Sequence, residues 1–364
     1  MAERTALHDR LTAADARYEE RDGFAVARDF GSRAREVAAV RTTVGIADRG
    51  ARGFTLFEGS DAAKFLQGMV SNDVESVAVG SATYALLLTP KARVVADLRL
   101  TRLAESTFLA DSEPAATPAL RQVLTRYRLR SRVTIEPAEA RYGAIAVAGR
   151  RSGLLLTDAF GILPRADAAE GEGFAVPVGD RTLAAVASAC CGEKAFELIG
   201  ARAEIGAAWD ALAANLHRHA GAVIGADALE TLRIEAGIPR FGRELDEVVM
   251  PSEVGVVERA VSFTKGCYIG QEPVARLHYR GHANRGLRTI LLDHAAPIVG
   301  ATVSLDGRDV GRVTSATESP TLGRPIALAI VRREVATGER VTVSWDDRAA
   351  EGEVMDVPAY GWSR

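Results

Sequence analysis

The sequence predicts an α+β protein that ends in a small all-β domain. Up to about residue 282, segments with the two-residue alternation of strands are interleaved with segments whose apolar residues have helical spacing. From Leu287 onward the residue pattern changes to short β-rich segments such as "RVTVSW" and "GEVMDV". Turns such as Asp306-Gly307 and Thr337-Gly338 separate these segments. A chain of 364 residues is long enough for two or three domains, each with its own core.

These patterns predict four parts. They are an N-terminal extension (1–22), a first α+β domain (23–138), a second α+β domain (139–282) and a C-terminal β-barrel domain (283–364). In the first domain, a strand ends at Glu58-Gly59, and Ser60 or Asp61 is positioned to cap the following helix. The further elements expected there are two strands (Tyr84–Leu88 and Val94–Leu100), a helix near 115–128 and a strand near 132–136.

The second α+β domain contains the segment "GADALETLRIEAGIPRFG", which predicts a helix. Asp227 and Glu230 have the spacing of a capping box, and Gly237 is expected to end the helix. Arg233 lies beside the apolar stripe, where it needs a partner because an unpaired buried charge is costly.

Composition and charge exclude several classes of protein. The net charge of −3 gives no global attraction to nucleic acid or membrane, so we expect no DNA or membrane partner. The N-terminus is charged throughout, and no apolar run approaches the roughly 20 residues of a membrane span. Three cysteines, two of them adjacent, form no disulfide framework, which predicts a cytoplasmic protein, and we expect a monomer.

The common catalytic and metal-binding motifs are absent from the sequence. It has no phosphate loop, no GxSxG and no HExxH. Three cysteines are too few for a self-contained iron–sulfur cluster. Cys267, His278 and His282 could supply three zinc ligands, but we favour the interpretation that the histidines belong to a basic face, so no metal site is expected.

Cys267 is the most conspicuous candidate for chemistry, within "FTKGCYIGQEPVAR". Lys265 and a helix start near Gln271 would both favour its thiolate form. The alternative is a small residue in a glycine-flanked turn. From Lys265 to Arg288 the only acid is Glu272, so this stretch could bind RNA or a small polycarboxylate, or pair with acids elsewhere in the protein.

The octapeptide "KGCYIGQE" resembles the signature of the YgfZ/Iba57 group, which is related to the glycine-cleavage T-protein. Other blocks also resemble this family: Phe57–Val74, Leu86–Leu100, Glu230–Leu245, Pro251–Gly255 and Val310–Ser315. The resemblance implies two α+β domains and a C-terminal β-barrel, arranged as a ring around a folate-binding channel. It also implies a role in the maturation or repair of iron–sulfur enzymes, including tRNA-thiomodifying ones, with those client enzymes or assembly proteins as partners.

Tetrahydrofolate or a derivative is therefore the expected ligand. The adjacent N–H donors of a pterin suit a carboxylate, for which Glu235 is proposed, with Glu244 and Asp97 as alternatives. An aromatic wall could come from Tyr84, Tyr268 or Phe241, and arginines of the basic stretch could receive the anionic tail. The predicted catalytic residues are Cys267, Lys265 and Asp97, and the predicted folate contacts are Arg233, Glu235, Glu244, Tyr84, Tyr268, Gln271, Glu272 and Arg276. An ion pair of purely structural role is the alternative for Arg233 and Glu235.

One departure from the family pattern bears on function. T-proteins carry two adjacent acids in the segment that aligns with "VVADLRL", and this chain has Ala96-Asp97 there. Aminomethyl transfer needs an acid that handles a proton. The missing carboxylate and the cysteine motif favour a folate-binding maturation factor that acts through a reactive cysteine. The first alternative is a tetrahydrofolate-dependent aminomethyltransferase or other one-carbon transferase. The second is a non-catalytic protein-binding or RNA-binding module, although direct RNA binding is not favoured. Whether the chain catalyses a reaction stays open.

Overall fold

The structure, a computed structural model, describes residues 2–360. Its helices are α1 (His8–Ala13), α2 (Arg33–Thr42), α3 (Ala62–Met69), α4 (Thr117–Tyr127), α5 (Ser152–Phe160), α6 (Arg202–Asn215), α7 (Ala226–Glu235), α8 (Val257–Ala260) and α9 (Gln271–Arg280). Its strands are β1 (Glu3–Arg4), β2 (Arg17–Arg21), β3 (Phe24–Asp29), β4 (Gly45–Asp48), β5 (Gly53–Glu58), β6 (Ala82–Leu88), β7 (Val94–Ala104), β8 (Thr107–Ser112), β9 (Thr134–Pro137), β10 (Tyr142–Ala148), β11 (Gly173–Val178), β12 (Arg181–Ser188), β13 (Ala195–Ala201), β14 (Ala222–Val223), β15 (Arg285–Leu292), β16 (Thr302–Leu305), β17 (Arg308–Ser319), β18 (Arg324–Arg332), β19 (Arg340–Trp345) and β20 (Arg348–Met355).

Two sheets form the α+β part of the molecule. The five-stranded sheet has the order β6-β7-β8-β5-β9, and the six-stranded sheet has the order β11-β12-β13-β10-β4-β14. α3 and α4 bury the apolar stripe that includes Leu66 and Leu120 against the first sheet. α5 and α6 cover the second sheet with Leu155 and Trp209. Each sheet therefore has one face closed by helices, as a half-apolar strand pattern requires.

The other faces of the two sheets pack against each other. Phe54 on β5 and Leu109 on β8 form one buried cluster with Val186 on β12 and Ile199 on β13. This contact joins the two α+β units through apolar side chains, and it places the ends of β7, β8, β12 and β13 next to one another.

The first 48 residues pack with the second α+β unit. Leu7 and Leu11 of the expected extension are buried in the same core as Trp209 of α6. β4 pairs with β10 from Ile145↔Asp48 to Ala148↔Gly45, inside the six-stranded sheet. The expected boundary between extension and first domain therefore does not coincide with the sheets, because local patterns cannot show a pairing of strands about a hundred residues apart.

The C-terminal part is a closed barrel with the order β15-β18-β17-β16-β19-β20. Its interior is filled by alternating residues such as Val303, Val331 and Trp345. The predicted fold class, α+β domains followed by a C-terminal β-barrel, is confirmed.

Some local predictions were wrong. Asp61 lies at the start of α3, but its carboxylate accepts from the backbone N–H of Arg132 at 2.8 Å and caps nothing. α7 starts after Gly225, so Asp227 is inside the first turn and no capping box forms. The predicted end of the helix at Gly237 is confirmed. Gly237 follows α7 with φ of +64°, the left-handed conformation that favours glycine after the last turn of a helix.

Candidate functional site

A cavity of about 190 Å³ lies between the two sheets, α7 and the segment 238–240. Most of its lining is charged, which is unusual at the centre of a protein. The charged groups on its wall are Arg21, Asp22, Asp48, Arg49, Arg52, Asp97, Arg99, Asp111, Glu113, Glu170, Glu197, Glu230, Arg233, Arg240 and Arg259.

Strand alternation explains how charges reach this interface. Leu109 and Asp111 are two residues apart on β8, so they share a face, and Ile199 and Glu197 do the same on β13. The apolar member of each pair packs between the sheets, and the charged member continues the same row into the cavity. The two sheets are therefore apolar where they touch and polar where they separate.

Asp97 is the carboxylate of this wall that has a buried oxygen without a hydrogen-bond partner among residues 2–360. It lies on β7 next to β6, where Tyr84 donates its hydroxyl hydrogen to Oδ2 of Asp97 at 3.0 Å. The other oxygen, Oδ1, is buried and has no hydrogen-bond partner in the structure. Burial and the nearby Glu113 carboxylate raise the pKa of Asp97 to about 6. An aspartate with such a pKa and one free oxygen on a cavity wall can accept and return a proton near neutral pH.

The wall behind Asp97 is a chain of charge-assisted hydrogen bonds. Arg99, on the same face of β7, donates to Oδ2 of Asp111 at 3.0 Å and to Oε2 of Glu197 at 2.6 Å. Arg52 donates to Oδ1 of Asp111 at 3.0 Å. These bonds cross from one sheet to the other, so they fix the position of the wall.

Glu197 brings a second carboxylate into the cavity. It also accepts from the Ser188 hydroxyl at 2.8 Å. Burial alone would raise the pKa of Glu197, but Arg99, Arg49 and the Ser188 hydrogen bond outweigh that effect and lower it. The cavity thus holds one carboxylate that titrates near pH 6 and one that stays ionised, the pattern of sites that hold and move protons.

Arg259 and Tyr84 lie together on the cavity wall beside Asp97. The guanidinium of Arg259 lies 5.0 Å from the centre of the Tyr84 ring and is paired with Glu170 at 2.8 Å. This stacking holds the tyrosine that orients Asp97.

Arg233 lies on the cavity wall, but its guanidinium is fully used. It donates to Glu230 at 2.8 and 2.9 Å, to Glu244 at 2.9 Å and to Ser315 at 2.7 Å. Although burial disfavours the charge, Glu244 and Glu230 raise the pKa of Arg233. The partner that the sequence required is therefore present.

Glu235 and Glu244 do not line the cavity. Glu235 is fully buried on the other side of α7, where Arg41 donates at 2.6 Å, Ser319 at 2.6 Å and Thr321 at 2.9 Å. The structure does not place Glu235 on the cavity wall where the predicted pterin contact would need it, because this carboxylate holds α2 and the barrel to α7.

The cysteine turn lies outside the cavity lining. Cys267 is exposed. The Lys265 amine donates to backbone carbonyls of Gln67, Val70 (2.6 Å) and Asn72 (3.0 Å). Burial lowers the pKa of Lys265 to about 8. The lysine therefore satisfies carbonyls at the end of α3 instead of activating the thiol.

The remaining predicted folate contacts also point elsewhere. Tyr268 is buried in the core that contains Leu86 and Val274, and burial raises its pKa to about 12. Gln271 starts α9, and the exposed pair Glu272 and Arg276 form an i,i+4 ion pair at 3.1 Å. None of these residues lines the cavity, so of the predicted site residues only Asp97, Tyr84 and Arg233 come together there.

Sequence reasoning missed Arg99, Asp111 and Glu197. Two signals were available. Glu197 is the one acid in the apolar strand "AFELIGA", and Arg99 follows Asp97 at the two-residue spacing that puts both on one face of a strand. Their convergence depends on how the two sheets pack, which the pattern alone does not give.

Among residues 2–360, no group of three or more histidine, cysteine or acidic side chains is arranged to hold a metal ion. In the same range, the helices include none with the length and hydropathy that crossing a bilayer requires.

Fold and cavity together define a class of protein. It has two packed α+β units with a charged cavity between them, followed by a closed C-terminal barrel. Residues 7–265 match the GCVT N-terminal domain, and residues 285–361 match the glycine cleavage T-protein C-terminal barrel domain. The chain therefore belongs to the glycine cleavage T-protein family.

Individual relatives agree with this assignment. The aminomethyltransferase of Staphylococcus carnosus (strain TM300) is 31% identical, over 97% of this chain and 96% of that protein. The aminomethyltransferase of Exiguobacterium sibiricum is 31% identical, over 99% of this chain and 98% of that protein. The crystal structure of glycine cleavage system aminomethyltransferase T from Bartonella henselae matches with a TM-score of 0.86 at 22% identity, covering 100% of this chain and 99% of that one.

These findings correct the sequence-based prediction of function. A maturation factor for iron–sulfur enzymes is the wrong prediction, because full-length relatives at 26–31% identity are named aminomethyltransferase. The comparisons support the wider T-protein family and do not single out the YgfZ/Iba57 group, nor do they support iron–sulfur clients or tRNA modification. The alternative reading, a one-carbon transferase, fits them better.

Proposed function

We propose that this protein is a tetrahydrofolate-dependent aminomethyltransferase whose proton-handling residue is Asp97. The observation that carries the proposal is the free Oδ1 of Asp97, buried on the wall of the central cavity with a pKa raised to about 6. The names of the full-length relatives support the reaction class.

The residues of the cavity fit the head group of a folate. A pterin offers adjacent N–H donors. Oδ1 of Asp97 is a buried acceptor that has no donor of its own. The cavity is smaller than the roughly 300–1,000 Å³ typical of sites for drug-sized ligands. The cavity therefore suits one ring system of the ligand, with the rest of the molecule outside it.

Bound tetrahydrofolate would supply the amine nitrogens that accept the one-carbon unit. The protein supplies position and proton control. Tyr84 fixes the carboxylate plane of Asp97 through Oδ2, which leaves Oδ1 to hold or release a proton. Arg99 and Ser188 keep Glu197 ionised and immobile, so the second carboxylate orients polar groups without competing for the same proton.

The lone aspartate is compatible with this chemistry. T-proteins carry two adjacent acids at this point, and the first of the pair is Ala96 here, a fully buried residue of the five-stranded sheet core. A side chain at position 96 points to the opposite face of β7 from Asp97. The absence of a carboxylate at position 96 therefore leaves the cavity wall unchanged.

The resemblance of "KGCYIGQE" to the YgfZ/Iba57 signature is limited to a turn with structural roles. Lys265 binds carbonyls at the end of α3. Gly270 has φ of +84°, and a Cβ there would lie 2.5 Å from the carbonyl oxygen of Thr89. Both features explain these residues by packing, so no separate function is assigned to the motif.

The test is single-turnover transfer from an aminomethyl donor to tetrahydrofolate, with Asp97→Asn as the variant and Asp306→Asn, an exposed barrel-turn residue, as the matched control. We expect Asp97→Asn to lose roughly 10²–10⁴-fold in rate. Folate binding, measured by calorimetry, should weaken by no more than about tenfold, because asparagine keeps one acceptor oxygen but loses the charge. The wild-type rate should fall below about pH 6 as Asp97 takes up a proton. Absence of turnover by the wild type with a panel of donors, or an unchanged rate in Asp97→Asn, would overturn the proposal.

A further inference from the structure

A second cavity, of about 330 Å³, lies on the outer face of the barrel under the segment 243–249. It shares no lining residue with the central cavity. Four arginines line it: Arg243 from the segment, and Arg285, Arg312 and Arg332 from the barrel strands. We call it the arginine groove.

Strand register brings the three barrel arginines to one face. Arg285 on β15 lies directly opposite Arg332 on β18. Arg312 on β17 is opposite Ile330, two residues from Arg332 and therefore on the same side of β18. Like charges directly opposite each other across a sheet are destabilising. The arrangement is thus a local electrostatic cost that an anion would relieve.

The acids of the chain compensate this charge only in part. Arg285 is paired with Glu253 at 2.9 and 3.1 Å. Arg332 reaches Glu334 at 3.7 Å with both side chains 62% exposed, which contributes little. Within residues 2–360, neither Arg243 nor Arg312 forms an ion pair. Three of the four guanidinium groups are therefore available to a ligand.

The two aspartates of the groove have other partners. Asp309 accepts from the Ser304 hydroxyl at 3.1 Å, and Asp246 accepts from the Val248 backbone N–H at 2.8 Å. Four arginines and two aspartates give the lining a net charge of +2. This charge matches a dianionic group better than a single carboxylate.

We propose that the arginine groove binds a small molecule that carries a phosphate group. Guanidinium groups bind phosphate oxygens through paired hydrogen bonds, and several of them around one group favour two or more negative charges. Val249 and Ile330 add apolar surface for an organic body beside the phosphate. The volume of the arginine groove, about 330 Å³, is at the low end of the range for small-molecule sites, roughly 300–1,000 Å³.

The experiment titrates the full chain with inorganic pyrophosphate, orthophosphate and citrate by calorimetry at low ionic strength. The variant is Arg312→Ala with Arg332→Ala. The matched control is Arg333→Ala with Arg348→Ala, which removes two exposed barrel arginines outside the groove. Circular dichroism of both double variants checks that the barrel is intact.

We expect saturable binding of pyrophosphate or orthophosphate to the wild type, weakened at least about tenfold in the groove variant and unchanged in the control. Equal weakening in both double variants would mean a general charge effect and would overturn the proposal. So would tighter binding of citrate than of both phosphates, or no saturable phosphate binding. Folate-dependent transfer plays no part in this readout, so its outcome is independent of the proposed function.

Discussion

Two buried charge clusters each contribute residues to the wall of the same cavity, and they differ in one respect. The closed cluster is Arg233 with Glu230, Glu244 and Ser315, in which the guanidinium makes hydrogen bonds to every partner it faces. The open cluster is Asp97 with Tyr84, Arg99, Asp111 and Glu197, in which one carboxylate oxygen of Asp97 has no partner. Both contain buried charges, but only one contains an unmet hydrogen-bonding capacity.

The difference separates stability from function. A buried charge with complete hydrogen bonding holds elements together, here α7, the segment after it and the barrel strand β17. A buried charge with a free oxygen raises the free energy of the native state, and it persists where function requires it. Residue type alone does not distinguish the two, since both clusters pair arginines with acids.

Removing Glu244 tests the closed cluster most severely. Glu244→Ala leaves Arg233 buried without its main interior carboxylate, so we expect the free energy of unfolding to fall by about 3–5 kcal/mol. The measurement is urea denaturation, with the exposed neighbour Glu247→Ala as control, for which a change within about 0.5 kcal/mol is expected. A loss of less than about 1 kcal/mol would show that the cluster is not structural.

The open cluster should respond in the opposite direction. The pKa of Asp97 is raised from its ordinary value to about 6, so the fold favours the protonated form, and its contribution to stability is lost as pH rises to about 6. Asp97→Asn removes this penalty. At pH 7 we expect the variant to be more stable than the wild type by at most about 3 kcal/mol.

The pH dependence sharpens this prediction. The stability difference between Asp97→Asn and wild type should be small near pH 4 and grow toward pH 7, as followed by thermal unfolding. A variant that is less stable than the wild type at pH 7 would mean that the free oxygen is compensated in solution, and the contrast between the clusters would then disappear.

The closed cluster was easier to predict from the sequence than the open cluster. Arg233 beside an apolar helical stripe demanded a partner, and Glu230 supplies one from three residues away on the same helix. The link from Arg99 to Glu197 joins residues 98 positions apart on two different sheets. Local periodicity predicted both strands and the barrel, but the packing of one sheet on the other decides which side chains meet.

The segment Lys265-Gly266-Cys267 shows the same limit of local sequence patterns. A lysine two residues before a cysteine is equally consistent with thiol activation and with a helix-end contact, because sequence does not give the direction of a long side chain. In the structure, the Lys265 amine lies at the end of α3. One of its acceptors there, the carbonyl of Val70, is 195 residues earlier in the chain. Proximity in sequence was the misleading signal.

Lys265→Met tests whether that lysine belongs with the closed, structural groups. The change keeps an apolar stem of similar length and leaves the carbonyls of Gln67, Val70 and Asn72 without their donor. We expect a loss of about 1–3 kcal/mol in unfolding free energy by urea denaturation. The exposed Lys91→Met should change it by less than about 0.5 kcal/mol, and equal effects of the two changes would contradict a structural role for Lys265.

Cys267→Ser should have the smallest effect. The thiol is exposed and lies outside the cavity lining, so neither the core nor the site around Asp97 depends on its sulfur. We expect the unfolding free energy to change by less than about 0.5 kcal/mol and the single-turnover transfer rate to stay within a factor of about two. Since serine differs from cysteine by one atom, a large fall in rate without loss of stability could come only from thiol chemistry. That result would place the cysteine turn, rather than the open cluster, at the centre of the reaction.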